Sequence, residues 1–491
     1  MTRGIDRKGF AISALIVALA LSGCAREPEN PYPVGSNILL LTVDTLRADH
    51  LSSYGYPRRT SPVLDRLGSE GVRFEQTAVQ WPKTGPSFAS IFTSTYPKDN
   101  GIVRRVGMPL PHEFLMLAEV LQRHGYTTHA VVANGAVASD FNFNQGFDTY
   151  VETWKQELDG FSGDPNGAEA VNLHVRRVLD EMDPSKPFFL WVHYLDPHFP
   201  YVPPGDWADH FQDDEWFEPI RAIEIDQEKA KKQVTGIGHG QVLDGRDDLG
   251  FYIARYDAEI AYTDFQIGKL FDDLRRRGLL ENTLTVFTSD HGESLGDHAY
   301  YFDHGRFSFQ TCLRVPLVLH YPGVLPPRVD REPVELINLA PTMLEAAGVE
   351  LEEQGWMQGR SLTGRMLGWE PDGDEPVYAR SEAGYATKGR WQKIARDQRF
   401  KLIFAPFRGD QRWIGGAPEI EYALFDLQQD PGETENLVDE RPEEFARLKD
   451  ELYRWWRPNQ FDVLVDQAGG EAEGEMSEET SEQLKALGYL E

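Results

Sequence analysis

The chain of 491 residues is long enough for a large core and a smaller second unit, and its 41% hydrophobic and 12% aromatic residues are ordinary for a globular protein. Its net charge of −30 argues against a nucleic-acid partner, because phosphate-backbone binding needs clustered Lys and Arg. It leaves an anionic substrate open, since a metal ion dominates the local field inside a pocket. With only 2 cysteines a disulfide framework is excluded, and we expect Cys312, in an apolar run, to be a free buried thiol.

The N-terminus has the pattern of a secretory signal. Basic residues precede a run of about a dozen apolar residues, which is too short to span a bilayer comfortably. The run ends in "LSGC" at Cys24, which resembles a bacterial lipobox; an ordinary signal peptide with an incidental cysteine is the alternative. We therefore expect a lipoprotein signal peptide over residues 1–23 and a polar, Pro-rich tether over residues 24–36. Lipidation of Cys24 would anchor the mature protein to the bacterial cell envelope, facing the periplasm and most simply at the outer membrane.

Beyond the tether, apolar strands alternate with amphipathic helices. The strands are predicted from continuous apolar runs, which are typical of strands buried on both faces: residues 37–44, 128–134, 187–196, 283–290 and 315–323. Helical periodicity lies between them in "SPVLDRLGSEG", "FLMLAEVLQRHG", "AEAVNLHVRRVLDEM" and "YDAEIAYTDFQIGKLFDDLRRRG". This alternation predicts an α/β fold, with a large, mostly parallel sheet sandwiched by helices.

The last quarter of the chain has a different pattern, with short strands followed by one helix. We place the large α/β domain at residues 37–368 and a smaller C-terminal α+β subdomain with an antiparallel sheet at residues 369–465. An acidic loop and a C-terminal helix follow over residues 466–491. We expect that helix to dock back on the protein, because its apolar residues share one face: Leu484, Leu487 and Leu490.

Acidic residues and histidines follow several of the apolar strands. Ligands of an open α/β sheet bind outside the carboxyl ends of its strands, and a carboxylate there is costly unless it is paired or bound to a cation. Asp44 ends the first strand, and Asp290 with His291 ends a later one. Taken singly, each is explained as a capping residue or a loop histidine. Together they predict a divalent metal site with mixed oxygen and nitrogen ligands.

The stretch "WPKTGPSFASIFTS", residues 81–94, predicts a loop that becomes a helix near Pro86. Thr84 lies just before that helix. A hydroxyl is a poor nucleophile unless a base or a metal activates it, and a helix N-terminus favours a negatively charged oxygen. A helix cap and a nucleophile therefore both remain open for Thr84.

Seven blocks of the sequence, in this order, resemble the sulfatase family of the alkaline phosphatase superfamily: "NILLLTVDTLRADHLSSYGY", "PKTGPSFASIFTSTYPKDNGI", "PFFLWVHYLDPHFPY", "FTSDHGESLGDHAYYFDHG", "LRVPLVLHYPG", "QGRSL" and "LFDLQQDPGETENL". The resemblance runs from about residue 37 to residue 440. It implies a large alkaline-phosphatase-like α/β domain with a smaller C-terminal antiparallel domain, as the pattern of strands and helices also predicts.

The resemblance also assigns the metal and catalytic positions. The family's metal is held by an Asp after the first strand, here Asp44, and by an Asp followed by Asn or His, here Asp290 and His291. A second Asp of the family's site is replaced by Thr45. The family's catalytic residue opens the motif Cys/Ser-x-Pro-x-Arg and is oxidised to formylglycine. That motif reads Thr84-Gly-Pro-Ser-Phe in this chain, so we expect Thr84 to act unmodified and to contact the metal.

Three further residues match family positions that contact substrate. His198 matches the histidine that contacts the transferred group or protonates the leaving oxygen. His304, in "FDHG", falls near a family lysine that binds anionic oxygens, and Asp303 is the alternative at that position. Lys83 would add positive charge beside Thr84; an exposed loop lysine is the alternative. The expected cofactor is one divalent ion: calcium by the family resemblance, with manganese, zinc or magnesium also compatible with Asp and His ligands.

The resemblance thus predicts a metal-dependent hydrolase of phosphate or sulfate esters, with Thr84 as nucleophile and His198 as acid. Phosphate esters suit an unmodified alkoxide better, because a covalent intermediate is resolved by attack at phosphorus, whereas family membership alone indicates sulfate. An envelope phosphoglycerol-type transferase or a phosphodiesterase is one alternative. An inactive binding relative is the other. The expected partners are an anionic ester and, through lipidated Cys24, the membrane, with no nucleic acid.

Overall fold

The computed structural model describes residues 30–103, 107–211, 224–226, 236–238, 242–350, 355–369, 377–385, 390–404, 421–456 and 476–490. The predicted signal peptide, Cys24 and residues 466–475 of the predicted acidic loop lie outside these ranges. Among the described helices, none is long and apolar enough to cross a membrane.

The large domain is organised by one central sheet of nine strands. The described strands of this domain are, along the chain, β1 (Asn37–Val43), β2 (Val72–Ala78), β3 (Thr127–Val132), β4 (Thr149–Glu152), β5 (Phe188–Tyr194), β6 (Glu224–Asp226), β7 (Gly236–Gly238), β8 (Thr283–Thr288), β9 (Ser294–Leu295), β10 (Tyr301–Asp303), β11 (Arg314–His320), β12 (Arg328–Asp330) and β13 (Val334–Glu335). Strands β6 and β7 pair with each other outside the central sheet, as do β9 and β10. The order in the sheet is β12-β2-β11-β8-β1-β5-β3-β4, and β13 also pairs with β2. In this sheet β11 runs antiparallel to β2 and β8, and the other neighbouring strands pair in parallel. The predicted mostly parallel α/β sheet is confirmed.

Helices cover this sheet and connect its strands. Their bounds are α1 (Pro62–Glu70), α2 (Thr84–Thr93), α3 (Pro97–Asn100), α4 (Leu117–Arg123), α5 (Ala168–Glu181), α6 (Leu249–Arg276), α7 (Gln310–Leu313), α8 (Leu339–Ala346), α9 (Thr363–Leu367), α10 (Pro442–Trp456) and α11 (Glu478–Ala486). Helix α6 begins seven residues before the quoted helical pattern, because the Asp248 side chain accepts a hydrogen bond from Phe251 N and caps it. Helix α2 begins at Thr84 rather than near Pro86.

The parallel register brings the carboxyl ends of the middle strands together. Thr42 of β1 lies opposite Thr288 of β8 on one side and opposite His193 of β5 on the other. The residues that follow these strands therefore emerge at the same edge of the sheet, as the general rule for ligand sites in open α/β sheets requires. Strand β2 was not predicted, since its sequence "VRFEQTA" has neither a strict alternation of polar and apolar residues nor the continuous apolar run of its neighbours.

The C-terminal part contains the predicted antiparallel sheet: β14 (Ala379–Tyr385), β15 (Arg390–Arg396), β16 (Phe400–Phe404) and β17 (Tyr422–Asp426), paired in that order. Helix α10 packs on this sheet through Leu448 and Leu452, both 0% exposed. The docking of the C-terminal helix is confirmed, because Leu484 and Leu487 are buried in the main core. Cys312 is a buried free thiol, as expected.

Candidate active site

Three predicted metal ligands form one buried cluster at the carboxyl edge of the sheet. Asp44, Asp290 and His291 each offer a ligand atom, and these atoms all lie within 4.8 Å of one another. His291 Nε2 lies 3.4 Å from Asp290 Oδ2 and 3.9 Å from Asp44 Oδ1. Neither of these two carboxylate oxygens has a hydrogen-bond partner in the described part of the chain, although both are buried. Two oxygen donors and one nitrogen donor that converge without other partners fit a divalent cation.

The two carboxylates of the cluster are in electrostatic conflict. Burial and the charge of Asp44 raise the pKa of Asp290 to about 6. Burial also opposes ionisation of Asp44, but the hydrogen bond with His193 and the nearby histidine charges hold the pKa of Asp44 at about 2. A cation between the two carboxylates would remove this repulsion, since it favours the charged form of both.

Neighbouring polar groups fix the orientation of these ligands. Asp44 Oδ2 accepts a hydrogen bond of 2.5 Å from Asn134 Nδ2 and lies 3.3 Å from His193 Nε2. His291 Nδ1 lies 2.9 Å from the carbonyl oxygen of Gly292. Because a carbonyl only accepts, Nδ1 carries a proton, and Nε2 is the ring nitrogen that could offer a lone pair to a cation. Such outer contacts are typical of histidines and carboxylates that bind metals.

Thr84 joins this cluster from the start of α2. Its Oγ1 lies 3.3 Å from His291 Nε2, and its side chain is 1% exposed. The N-cap residue of α2 is Lys83, and no side chain caps the helix. Ser87, one turn into α2, donates a hydrogen bond of 2.7 Å to the carbonyl oxygen of Asp290 and so ties the helix to the cluster. Of the two interpretations of Thr84, the helix cap therefore has no support in the structure.

The residue in the place of the motif arginine has a packing role. Phe88 is 0% exposed, and its ring centroid lies 4.8 Å from that of Trp191 and 4.9 Å from that of His193. A buried phenyl ring offers no charge or hydrogen bond to an anion, so Phe88 instead supports the histidine that orients Asp44.

The two predicted substrate-facing histidines lie beside Thr84. His198 Nε2 is 2.8 Å from the hydroxyl of Tyr489, which is itself 3.4 Å from Thr84 Oγ1. The His304 ring centroid is 4.1 Å from that of His291 and 5.4 Å from that of His198. His304 Nδ1 lies 3.3 Å from the buried carboxylate of Glu293. The structure thus brings His198, His304 and Thr84 into one constellation.

Lys83 lies across the loop that carries His304. The side chain is only 4% exposed, so the alternative of an exposed loop lysine is wrong. A Cβ on Gly305 would lie 1.9 Å from Lys83 Cε, which shows how closely the lysine stem passes over that glycine. Asp303, the alternative to His304, accepts a hydrogen bond from the backbone N–H of His304 and supports its loop.

Two residues near Thr84 were not singled out from the sequence. Asn134 follows β3, and its signal is the same as that of Asp44: a polar residue at the end of an apolar strand. Tyr489 is 405 positions from Thr84 in the chain, and no sequence pattern places it there. Asp196, which also follows β5, accepts a hydrogen bond from Ala168 N at the start of α5 instead of joining the cluster.

The family model described as sulfatase matches residues 36–349 of this chain. A second model, described as the C-terminal part of N-sulphoglucosamine sulphohydrolase, matches residues 296–456. Together they span both the central sheet and the C-terminal antiparallel sheet.

Individual relatives are distant but match over nearly the whole chain. An arylsulfatase of Clostridium perfringens is 26% identical over 489 residues, covering 89% of this chain and 95% of its own. A solved structure described as a complex with the substrate D-glucosamine-2-N,6-O-disulfate has a TM-score of 0.68 at 22% identity, covering 90% of this chain and 100% of its own. The phosphonate monoester hydrolase of Silicibacter pomeroyi has a TM-score of 0.64 at 22% identity, covering 86% of this chain and 96% of its own.

Proposed function

Because this chain belongs to the sulfatase family, and is on that ground an ester hydrolase, we propose that it cleaves a phosphate or sulfate ester with unmodified Thr84 as its nucleophile. The observation that carries the proposal is the position of Thr84 Oγ1. It lies at the first residue of α2, 3.3 Å from His291 Nε2, where it does not cap the helix. A threonine has no thiol or primary alcohol to oxidise to formylglycine, so its hydroxyl is the group that reacts.

One divalent cation completes the proposed site, held by Asp44, Asp290 and His291 with Thr84 Oγ1 beside them. When bound, it supplies positive charge that lowers the pKa of a hydroxyl and offsets charge on the transferred group. Two carboxylates and an imidazole suit manganese or zinc, whereas the family resemblance favours calcium, and magnesium is a further candidate.

The proposed reaction proceeds through a covalent ester of Thr84. After the hydroxyl proton has passed to water, Thr84 Oγ1 attacks the phosphorus or sulfur, and the bond to the leaving oxygen breaks. The N-terminus of α2 favours the negative charge at Oγ1. His198 Nδ1 lies 2.6 Å from the carbonyl oxygen of Phe199, which holds the ring so that Nε2 faces the site. Nε2 takes up, through water, the proton that Thr84 releases and then gives it to the leaving alcohol. Water, or a second alcohol in a transferase, then removes the group from Thr84.

Both ester classes remain in the proposal. The name of the Clostridium perfringens relative supports sulfate esters. Phosphate and phosphonate esters suit an unmodified alkoxide, since attack of water at phosphorus resolves the intermediate.

A substrate panel tests the proposal. Aryl sulfates, phosphate monoesters, phosphate diesters and phosphonate esters are assayed with defined metals on the wild type, Thr84→Ala and, as a control, Thr434→Ala. Thr434 is an exposed threonine that hydrogen-bonds Asp430. We expect Thr84→Ala to lose activity on every ester and Thr434→Ala to keep it. Unchanged activity in Thr84→Ala refutes the mechanism, and a purified protein without a stoichiometric divalent ion would favour the inactive binding relative.

The cell-envelope location is a separate proposal, supported by the "LSGC" pattern at the end of the apolar N-terminal run. We propose that Cys24 is lipidated and tethers the enzyme to the membrane. Labelling of cells with a palmitate analogue should mark the wild type and leave Cys24→Ala unmarked. An envelope transferase that acts on a lipid-linked substrate predicts that Cys24→Ala loses activity in cells but keeps it on soluble esters.

A further inference from the structure

The C-terminal segment is built into the large domain next to the active site. Gln483, on α11, accepts a hydrogen bond of 2.6 Å from Gly135 N and donates one of 3.0 Å to the carbonyl oxygen of Ala133. These two residues flank Asn134, which contacts the metal ligand Asp44. Leu484 is 0% exposed in the main core. The segment therefore packs as a constitutive part of the fold, held by polar and apolar contacts together.

A glycine at the contact allows this close approach. A Cβ on Gly135 would lie 2.3 Å from Gln483 Oε1 and 3.2 Å from Leu484 Cγ. After α11 the chain turns at Gly488, whose φ of +69° is accessible mainly to glycine. This turn directs Tyr489 back toward the sheet edge.

Tyr489 places a phenol hydroxyl at the centre of the active site. Its oxygen lies 2.8 Å from His198 Nε2, 3.3 Å from Asn134 Nδ2 and 3.4 Å from Thr84 Oγ1. The residue is 8% exposed. Because the segment that carries it is docked in the core, a substrate that reaches Thr84 meets this hydroxyl.

The directions of these hydrogen bonds follow from the chemistry of the partners. His198 Nδ1 faces a carbonyl oxygen, which only accepts, so Nδ1 carries the proton whenever the ring is neutral. His198 Nε2 is then the acceptor, and Tyr489 donates to it. The Tyr489 oxygen accepts from Asn134 Nδ2. A hydroxyl proton rotates freely to a better acceptor, and an ionised ester oxygen is a better acceptor than a neutral imidazole.

We propose that Tyr489 is a catalytic residue contributed by the C-terminal segment, whose hydroxyl donates a hydrogen bond to an oxygen of the group that Thr84 takes up. This inference rests on the proposed role of Thr84. The oxygens of a phosphoryl or sulfuryl group bonded to Thr84 Oγ1 come within hydrogen-bond reach of a donor 3.4 Å from that atom. No bond of Tyr489 breaks. Its proton turns from His198 Nε2 to the ester oxygen. This frees the lone pair of Nε2 to take up the proton released by Thr84 and to give it to the leaving alcohol.

The position of Asn134 indicates which ester oxygen is recognised. Asn134 Nδ2 bonds both Asp44 Oδ2, at 2.5 Å, and the Tyr489 oxygen, at 3.3 Å. The phenol therefore lies on the same side of Thr84 as the carboxylate cluster, where the transferred group binds. A donor fixed there stabilises charge that develops on that group in the transition state.

The test compares Tyr489→Phe with Tyr126→Phe in the full-length protein. Tyr126 is a matched control, since it is 5% exposed and its hydroxyl donates a 2.8 Å hydrogen bond to the carbonyl oxygen of Ser36. We expect Tyr489→Phe to lower kcat by about 10²–10³-fold, the usual effect of removing one donor to a developing oxyanion. The factor should be the same for aryl and alkyl esters, because the contact is to the transferred group. Inhibition by inorganic phosphate should weaken by about tenfold. Tyr126→Phe should leave kcat and phosphate inhibition unchanged.

Each other outcome contradicts the proposal. A kcat of Tyr489→Phe within twofold of the wild type shows that the hydroxyl does not act on the ester. A higher kcat shows that Tyr489 obstructs the site, so that the segment is an autoinhibitory plug. A loss confined to alkyl esters assigns the contact to the leaving oxygen. Thr84→Ala separates the two proposals: full activity of that variant refutes the nucleophile, whereas an inactive Thr84→Ala with a fully active Tyr489→Phe refutes only the role of Tyr489. A melting temperature measured for each variant identifies any loss that comes from misfolding.

Discussion

Replacing Asp290 by asparagine should stabilise the metal-free protein while removing its response to metal. Burial and the charge of Asp44 raise the pKa of Asp290 to about 6. An aspartate in an unfolded chain ionises near pH 3.9, so the difference of about two pH units corresponds to about 3 kcal/mol. Because the pKa is higher in the folded state, ionised Asp290 lowers the free energy of unfolding. This loss of stability is absent below about pH 4, grows as the pH rises to about 6, and stays constant above it. Asparagine has nearly the same shape as aspartate and carries no charge.

The assay is thermal unfolding at about pH 8, after chelation and again with added Mn²⁺, Zn²⁺, Ca²⁺ or Mg²⁺. Without metal, we expect Asp290→Asn to melt at or above the temperature of the wild type. With a metal at about 100 times its Kd, the wild type should gain about 2.7 kcal/mol, because the ion binds only the folded state. The variant should gain much less, since it has lost one carboxylate ligand.

Asp450→Asn is the control, because Asp450 lies exposed on α10 away from the cluster. It should match the wild type with and without metal. The reasoning is refuted if Asp290→Asn is clearly less stable than the wild type without metal and still shows the full shift on metal addition. That result would mean that Asp290 stabilises the fold by contacts of its own.

Two further substitutions test the surroundings of the site. Glu259 supports the loop after His198 by accepting a hydrogen bond from Val202 N, and burial, followed by the charge of Asp196, raises its pKa. The stability that protonated Glu259 gives is complete below about pH 4 and is lost as the pH rises. Glu259→Gln should therefore flatten the fall in melting temperature between about pH 5 and pH 8, and an unchanged slope argues against this. Gly135→Ala places a methyl group 2.3 Å from Gln483 Oε1, so it should lower the free energy of unfolding by about 1–3 kcal/mol and lower kcat toward that of Tyr489→Phe. The control Gly355→Ala, with open space around its Cβ, should change neither quantity. A normal kcat in Gly135→Ala means that the docking of α11 does not govern the position of Tyr489.

The cluster of Asp44, Asp290 and His291 was predictable from the sequence because it depends on strand ends. Apolar runs identify β1 and β8 as buried parallel strands; Asp44 follows β1 directly, and Asp290 is the second residue after β8. The two strands are hydrogen-bonded neighbours, so their carboxyl ends deliver both carboxylates to one point.

The position of Thr84 was predictable in part. The Pro86 signal marks the start of a helix, but propensity does not tell whether the hydroxyl turns inward to His291 or back to the helix backbone.

The contribution of the C-terminal segment was not predictable in the same way. The spacing of Leu484 and Leu487 predicts that α11 docks, yet many apolar surfaces would accept such a face. Its location depends on a long-range contact, the hydrogen bonds of Gln483 with the backbone on both sides of Asn134.

Strand β2 was missed for a related reason, since its partners β11, β12 and β13 all follow it by more than two hundred residues and its own pattern is only half-buried.

The most direct test of the central proposal is to identify the residue that carries the covalent intermediate. The wild type, turning over its best ester, is quenched in acid, digested and analysed by high-resolution mass spectrometry, which distinguishes a phosphoryl from a sulfuryl group. The account predicts that the group is found on the peptide containing Thr84, at Thr84 itself, and is absent from Thr84→Ala. A group attached to any other residue, or undiminished turnover in Thr84→Ala, would contradict it.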